Sequence, residues 1–140
     1  MSRVVNVDST GKNRNRLMRT AAELLRRLSQ KSELDGEAID MAAHLVFCLR
    51  GIDDGIEASA AVWEGRDYWL KADQLRQRWA WAGNAAASLE SIIRGEKWES
   101  MPGIMAGLFG HFADIKITKF TRDASEWQGA FQRLTDELRR

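Results

Sequence analysis

Apolar positions recur along the chain at helical spacing, and the longest such pattern runs from Tyr68 to Trp98. Tyr68, Ala72, Leu75, Trp79, Ala82, Ala86, Leu89 and Ile93 alternate in steps of four and three, which places them on one face of an α-helix. No proline interrupts the stretch, and Ala85, Ala86 and Ala87 favour helix. A second, narrower stripe holds Leu70, Trp81, Ala85 and Ile92. A surface helix buries one stripe, so two stripes predict neighbours on two sides and a helix around which the chain is organised.

The same rhythm predicts the other elements. A first helix starts between Ser9 and Asn15 and ends near Lys31, with Leu17, Ala21, Leu24, Leu25 and Leu28 inward. Asp35 is placed to cap a second helix from about Gly36 to Trp63, whose core face is Met41, Leu45, Leu49, Ile52, Ile56, Ala60 and Trp63. Gly51 and Gly55 each cost such a helix about 1 kcal/mol. The apolar positions keep phase across them, so a continuous helix is expected, with a break there as the alternative. Glu64 to Asp67 reads as a turn, and the long helices on either side, each roughly 40 to 45 Å, form an antiparallel hairpin.

Pro102 suits the first turn of a short helix from about Pro102 to Ala113. Asp114 to Phe120 alternates like an extended segment that either pairs with Arg3 to Val7 or lies over the bundle. Asp123, with Glu126 three residues on, starts a last helix whose stripe is Trp127, Phe131, Leu134 and Leu138. The expected fold is all-α: residues 1–140 as a single-domain up-down helical bundle of four main helices plus one short helix.

Composition adds limits. With 44% hydrophobic and 29% charged residues the chain is globular, and a net charge of +1 gives no global field toward nucleic acid or membrane. The most apolar run, Met101 to Ala113, is too short to span a bilayer. The start of the chain lacks an apolar signal core, so a cytoplasmic location is the expectation. Cys48, the single cysteine, sits between Phe47 and Leu49 and reads as a buried thiol.

Charge is segregated. Residues 1–32 carry eight basic and two acidic side chains, residues 33–67 two basic and nine acidic. The simplest expectation is two neighbouring helices with complementary flanks. The sharper one is an anion-binding face made of Arg16, Arg19, Arg26 and Arg27. Near-zero net charge and tryptophans set among apolar residues instead of arginines argue against nucleic acid.

Candidate catalysis is thin. Glu37, Asp40 and His44 lie within about 60° on the second helix and are suitable ligand types for a transition metal. His111 and Asp114 are the nearest residues in kind that could complete a shell. The Glu-x-x-His pairs of di-iron bundles are missing. Asp54-x-x-Glu57 and Glu64-x-x-Asp67 superficially resemble the paired acidic motifs of all-helical nucleotide pyrophosphohydrolases. They stand too close together, and the second falls on the turn, so the likeness is not adopted. His44 and Cys48 are one helical turn apart, but an apolar setting makes a thiol inert. No glycine-rich phosphate loop ends in Lys-Ser or Lys-Thr, and no cofactor is implied.

The leading expectation is therefore a non-catalytic protein-interaction or assembly module, taking a protein partner or a second copy as a homodimer. Its anchors would be Trp69 and Trp81, off the main face, with Ile92 beside them. A metal-dependent hydrolase using Glu37, Asp40 and His44 is the alternative. A third reading is an apolar ligand held between Trp63, Trp79 and Trp81.

Overall fold

A computed structural model describes residues 7–137. The chain runs as α1 (Val7–Ser29), α2 (Gly36–Gly65), α3 (Trp69–Arg94), a 3-10 turn at Trp98–Ser100, α4 (Met101–Phe109), a second 3-10 turn at Gly110–Phe112, α5 (Ala124–Trp127) and α6 (Ala130–Asp136). The all-α class is as expected, and among the described residues there is no strand. No described helix is long and apolar enough to cross a membrane. The expected extended segment at the N-terminus and the last apolar position, Leu138, lie mostly or wholly outside the described residues; Val7 already belongs to α1.

The hairpin of α2 and α3 forms as its turn predicts, but the organising helix is α2, not α3. Twelve residues of α2 are buried against six of α3. The difference arises because α2 alone is flanked by α1, α3, α5 and α6. Its first half is enclosed by Leu24, Leu25, Leu89, Ile93 and Leu134, all essentially inaccessible, with Met41, Leu45 and Leu49 at the centre. Each such side chain contributes about 1.5–3 kcal/mol by leaving water. Asp35 caps α2 by accepting the Ala38 N–H at 2.8 Å.

Gly51 and Gly55 do not break α2. A Cβ at Gly51 would lie 2.8 Å from Leu17 Cδ1, and one at Gly55 3.4 Å from the Thr10 methyl. The glycines are where α1 crosses α2 closely, so their helix-propensity cost is offset by contact.

The expected fourth main helix is instead two short ones. Gln128 turns extended, and Gly129 adopts φ +79°, a left-handed conformation that favours glycine. The break is held from outside: Asp40 of α2 accepts the Gly129 N–H at 3.1 Å and the Phe131 N–H at 2.9 Å. An acid on a distant helix thus caps α6. The stripe survives the break, with Trp127 and Leu134 buried and Phe131 half-buried.

Residues 114–123 lie over the bundle as irregular chain. Backbone groups there are satisfied by side chains of α1. Glu23, 1% exposed, accepts the N–H groups of Thr121 and Arg122 at 2.7 and 2.9 Å and the Thr121 hydroxyl at 2.6 Å. Arg19 donates to the carbonyls of Lys116 and Lys119, and Arg27 to that of Arg122.

α1 and α2 are neighbours as expected, but their opposite charges do not pair across the contact: among the described residues only Lys31, in the connection after α1, meets Asp35 and Glu37. Glu57 and Glu64 of α2 instead bind Arg76 of α3, and Arg50 binds Glu90 and Glu137. Sequence proximity brought the opposite blocks together on paper; helix facing sent their side chains elsewhere.

Candidate interaction surface

The turn between α2 and α3 is tight. Arg66 N–H closes α2 on the carbonyls of Trp63 and Glu64, Asp67 takes φ +63°, and the Tyr68 N–H returns to the Trp63 carbonyl at 2.8 Å. The chain emerges with three consecutive large side chains in solvent: Tyr68 is 55%, Trp69 60% and Leu70 71% exposed. The helical rhythm of the sequence places Tyr68 on the core face and Leu70 on the second stripe. Both extrapolate a helical rhythm past the point where another element exists to receive it.

Beneath these residues the tip is braced. The Tyr68 ring meets Trp63 edge-on with centroids 5.8 Å apart, and Lys71 Nζ sits 3.9 Å above the same indole. Arg66 lies over it at 5.6 Å. Arg76 ties the two helices with a bidentate bond to Glu64 at 2.8 and 2.9 Å and a second bond to Glu57. Glu64 is held below the usual carboxylate range by that guanidinium.

The other expected anchors are covered. Trp81 lies under the second 3-10 turn, with His111 stacked on it at 4.0 Å and Phe112 edge-on at 5.6 Å. Ile92 is buried. Of the expected trio, only Trp69 is open. Trp79 packs on Trp81 at 5.8 Å and under Arg14, while Trp63 is engaged at the tip. The three tryptophans therefore do not line one ligand cavity.

The arginine face is likewise dispersed. Arg19 is committed to Glu23 and two carbonyls, and Arg27 to one carbonyl and the rings of Phe120 and Trp127. Arg16 bonds Asn13, which leaves Arg26 open on the surface.

Glu37, Asp40 and His44 share a helix face but turn to different partners. Glu37 binds Lys31, Asp40 caps α6, and His44 Nε2 lies 3.5 Å from Glu126. His111 is on the far side, against Trp81. No group of three potential metal ligands occurs among the described residues. Burial lowers the pKa of His44, with Glu126 opposing. Burial pushes the Cys48 thiol up to about 12, which removes the Cys-His pair as a nucleophile at neutral pH.

The exposure of Tyr68 and Leu70 was missed from sequence. The available signal was their position immediately after Glu64–Asp67, a turn that ends any inward face. Neither a family model, nor a curated protein, nor a solved structure matches this chain.

Proposed function

We propose that the chain is a non-catalytic interaction module that seats a partner protein on the tip of the α2–α3 hairpin. One observation carries the reading: Tyr68, Trp69 and Leu70 stand 55%, 60% and 71% exposed, in sequence, at the hairpin tip. Exposing three large apolar groups gains nothing for folding, and aromatic residues of this kind supply most of the energy at protein interfaces. The Arg76 ties to Glu57 and Glu64 and the Trp63–Tyr68 contact hold the tip in advance, which lowers the ordering cost of binding. Arg66 and Lys71 flank the apolar residues, so the fitting partner offers an apolar pocket with an acidic rim.

The test is a photo-crosslinking side chain placed at position 69 of the full-length protein in its source cells. A discrete conjugate with one protein, abolished by Leu70→Ser, is expected. A diffuse ladder, no conjugate, or a conjugate indifferent to Leu70→Ser would reject the tip as the site.

A further inference from the structure

The chain itself carries an apolar pocket with an acidic rim. A groove of about 420 Å³ opens between the α1–α2 connection and the start of α4; Leu28, Leu34, Trp98, Met101, Pro102 and Met105 form its apolar wall. Small-ligand sites occupy about 300–1,000 Å³, so a groove of this size admits an indole. Two of its lining residues are methionines, whose thioethers adapt their shape and pack favourably on aromatic rings.

Glu33 and Glu99 also line the groove. Both are exposed, and neither makes an ion pair among the described residues. The one base in the lining, Lys31, is already bonded to Asp35 and Glu37. From Lys31 to Glu37 the chain carries three acids against that lysine, and from Glu96 to Glu99 two acids against Lys97. The rim is therefore negative.

The hairpin tip has the opposite character. Trp69 and Leu70 stand in solvent, flanked by Arg66 and Lys71, which lie over the Trp63 ring and make no ion pair among the described residues. Glu64 is tied to Arg76, so Asp67 alone subtracts from these two cations. Tip and groove occupy opposite ends of the α2–α3 hairpin. The groove includes Ala38, in the first turn of α2, and Trp98, just beyond α3, whereas the tip is where α2 ends and α3 begins. α2, with 30 residues, spans about 45 Å, so no tip reaches its own groove.

We infer, resting on the tip as the partner site proposed above, that the partner is a second copy of this chain. Trp69 and Leu70 of one molecule enter the groove of the next, and Arg66 and Lys71 meet Glu33 and Glu99. A foreign partner on the tip would leave the groove and its two unpaired acids unmatched; a second copy matches both surfaces. The two surfaces differ, so the contact is heterologous and leaves a free tip at one end and a free groove at the other. Growth runs head to tail and does not stop at a dimer. An aromatic side chain buries about 150–250 Å², so the tip covers less than the roughly 800 Å² per partner of a standard interface. Single links are therefore weak, and assembly requires concentrated protein.

Sedimentation velocity of the full-length protein over a broad concentration range tests the inference. The expected result is an average mass that rises past that of a dimer. Leu70→Ser at the tip and Leu34→Glu at the groove each replace an exposed side chain. Each variant should keep the circular dichroism of the wild type, lose at least tenfold in association and sediment as a monomer alone. An equimolar mixture of the two supplies one intact tip and one intact groove, and should give a 1:1 pair that grows no further. A wild type that is monomeric at every concentration or stops at a dimer, or a mixture that stays monomeric, would overturn the inference. The crosslinking side chain at position 69 separates this inference from the reading it rests on. A conjugate with another copy, mapped to the segments around Leu34 and Met105, supports both. A conjugate with a different protein keeps the tip as the site and overturns self-assembly; no conjugate overturns both.

Discussion

Glu23 and Thr121 are 98 residues apart in sequence and joined twice: one carboxylate oxygen takes the Thr121 N–H at 2.7 Å, the other its hydroxyl at 2.6 Å. Arg19 at 2.7 Å and Arg122 at 3.8 Å balance the charge of this buried acid. Together with Arg19 and Arg27, which hold carbonyls of the same stretch, the Glu23 side chain fixes the irregular segment that carries the chain from α4 to α5. Glu23→Gln keeps the shape but replaces one acceptor oxygen with a donor, leaving a buried N–H donor unmatched. It should destabilise the fold by about 2–4 kcal/mol, measured by urea denaturation, with faster amide exchange at Thr121 and Arg122. Exchange rates at those amides unchanged from wild type would contradict the role.

The same site predicts an acid limb of stability. Burial pushes the Glu23 carboxyl up, but the Thr121 hydroxyl, Arg19 and the two N–H groups outweigh it and hold the pKa at about 2, against an ordinary 4.5. A folded-state pKa below the unfolded one means stability fully present above pH 4.5 and lost as pH falls toward 2. The loss is on the order of 3 kcal/mol. Glu23→Gln should flatten this limb; an equally steep limb in the variant would assign it to other groups.

Asp53 predicts the reverse sign. Its carboxylate packs against α3 where a Cβ at Gly83 would meet it at 2.9 Å. Burial raises its pKa, and Asp54 and Glu57 add to this. A raised folded-state pKa costs stability as pH climbs past the unfolded value. Asp53→Asn should stabilise by a few tenths to about 1 kcal/mol at pH 7, and the gain should vanish in acid. Thermal melts at both pH values decide it.

Gly129 at φ +79° is the joint between α5 and α6. Gly129→Ala should cost about 1–2 kcal/mol through backbone strain alone. Asp40→Ala should cost a similar amount by orphaning the N–H groups of Gly129 and Phe131. Because both act on one joint, the double variant should lose less than the sum. Strict additivity in a denaturation cycle would argue that the joint is not a unit.

Cys48, buried with its thiol near 12, should resist a thiol reagent at pH 8 in the native state and react at once in denaturant. Native-state labelling at a rate independent of denaturant would contradict the packing around it.

Sequence by itself determined α1 to α4 and the turns that join α1, α2 and α3, but not the break at Gly129 between α5 and α6. The period of three and four located α1, α2 and α3, because burying one face of a helix imposes that spacing wherever the helix stands, and Pro102 marked the first turn of α4. Asp35 and the Glu64–Asp67 turn were legible for the same local reason: capping and chain reversal involve neighbours a few residues apart. Tertiary structure alone decided which helix is central, since that depends on how many elements surround it. It decided where Tyr68 and Leu70 point, because a stripe continues past the last available neighbour without any change in spacing. It also decided that Glu23 and Asp40 hold backbone about 90 to 100 residues away, that Gly51 marks a crossing, and that α1's arginines bind carbonyls instead of α2's acids. Such contacts join residues remote in sequence, and only the folded arrangement selects them from the many pairs that charge and polarity would allow.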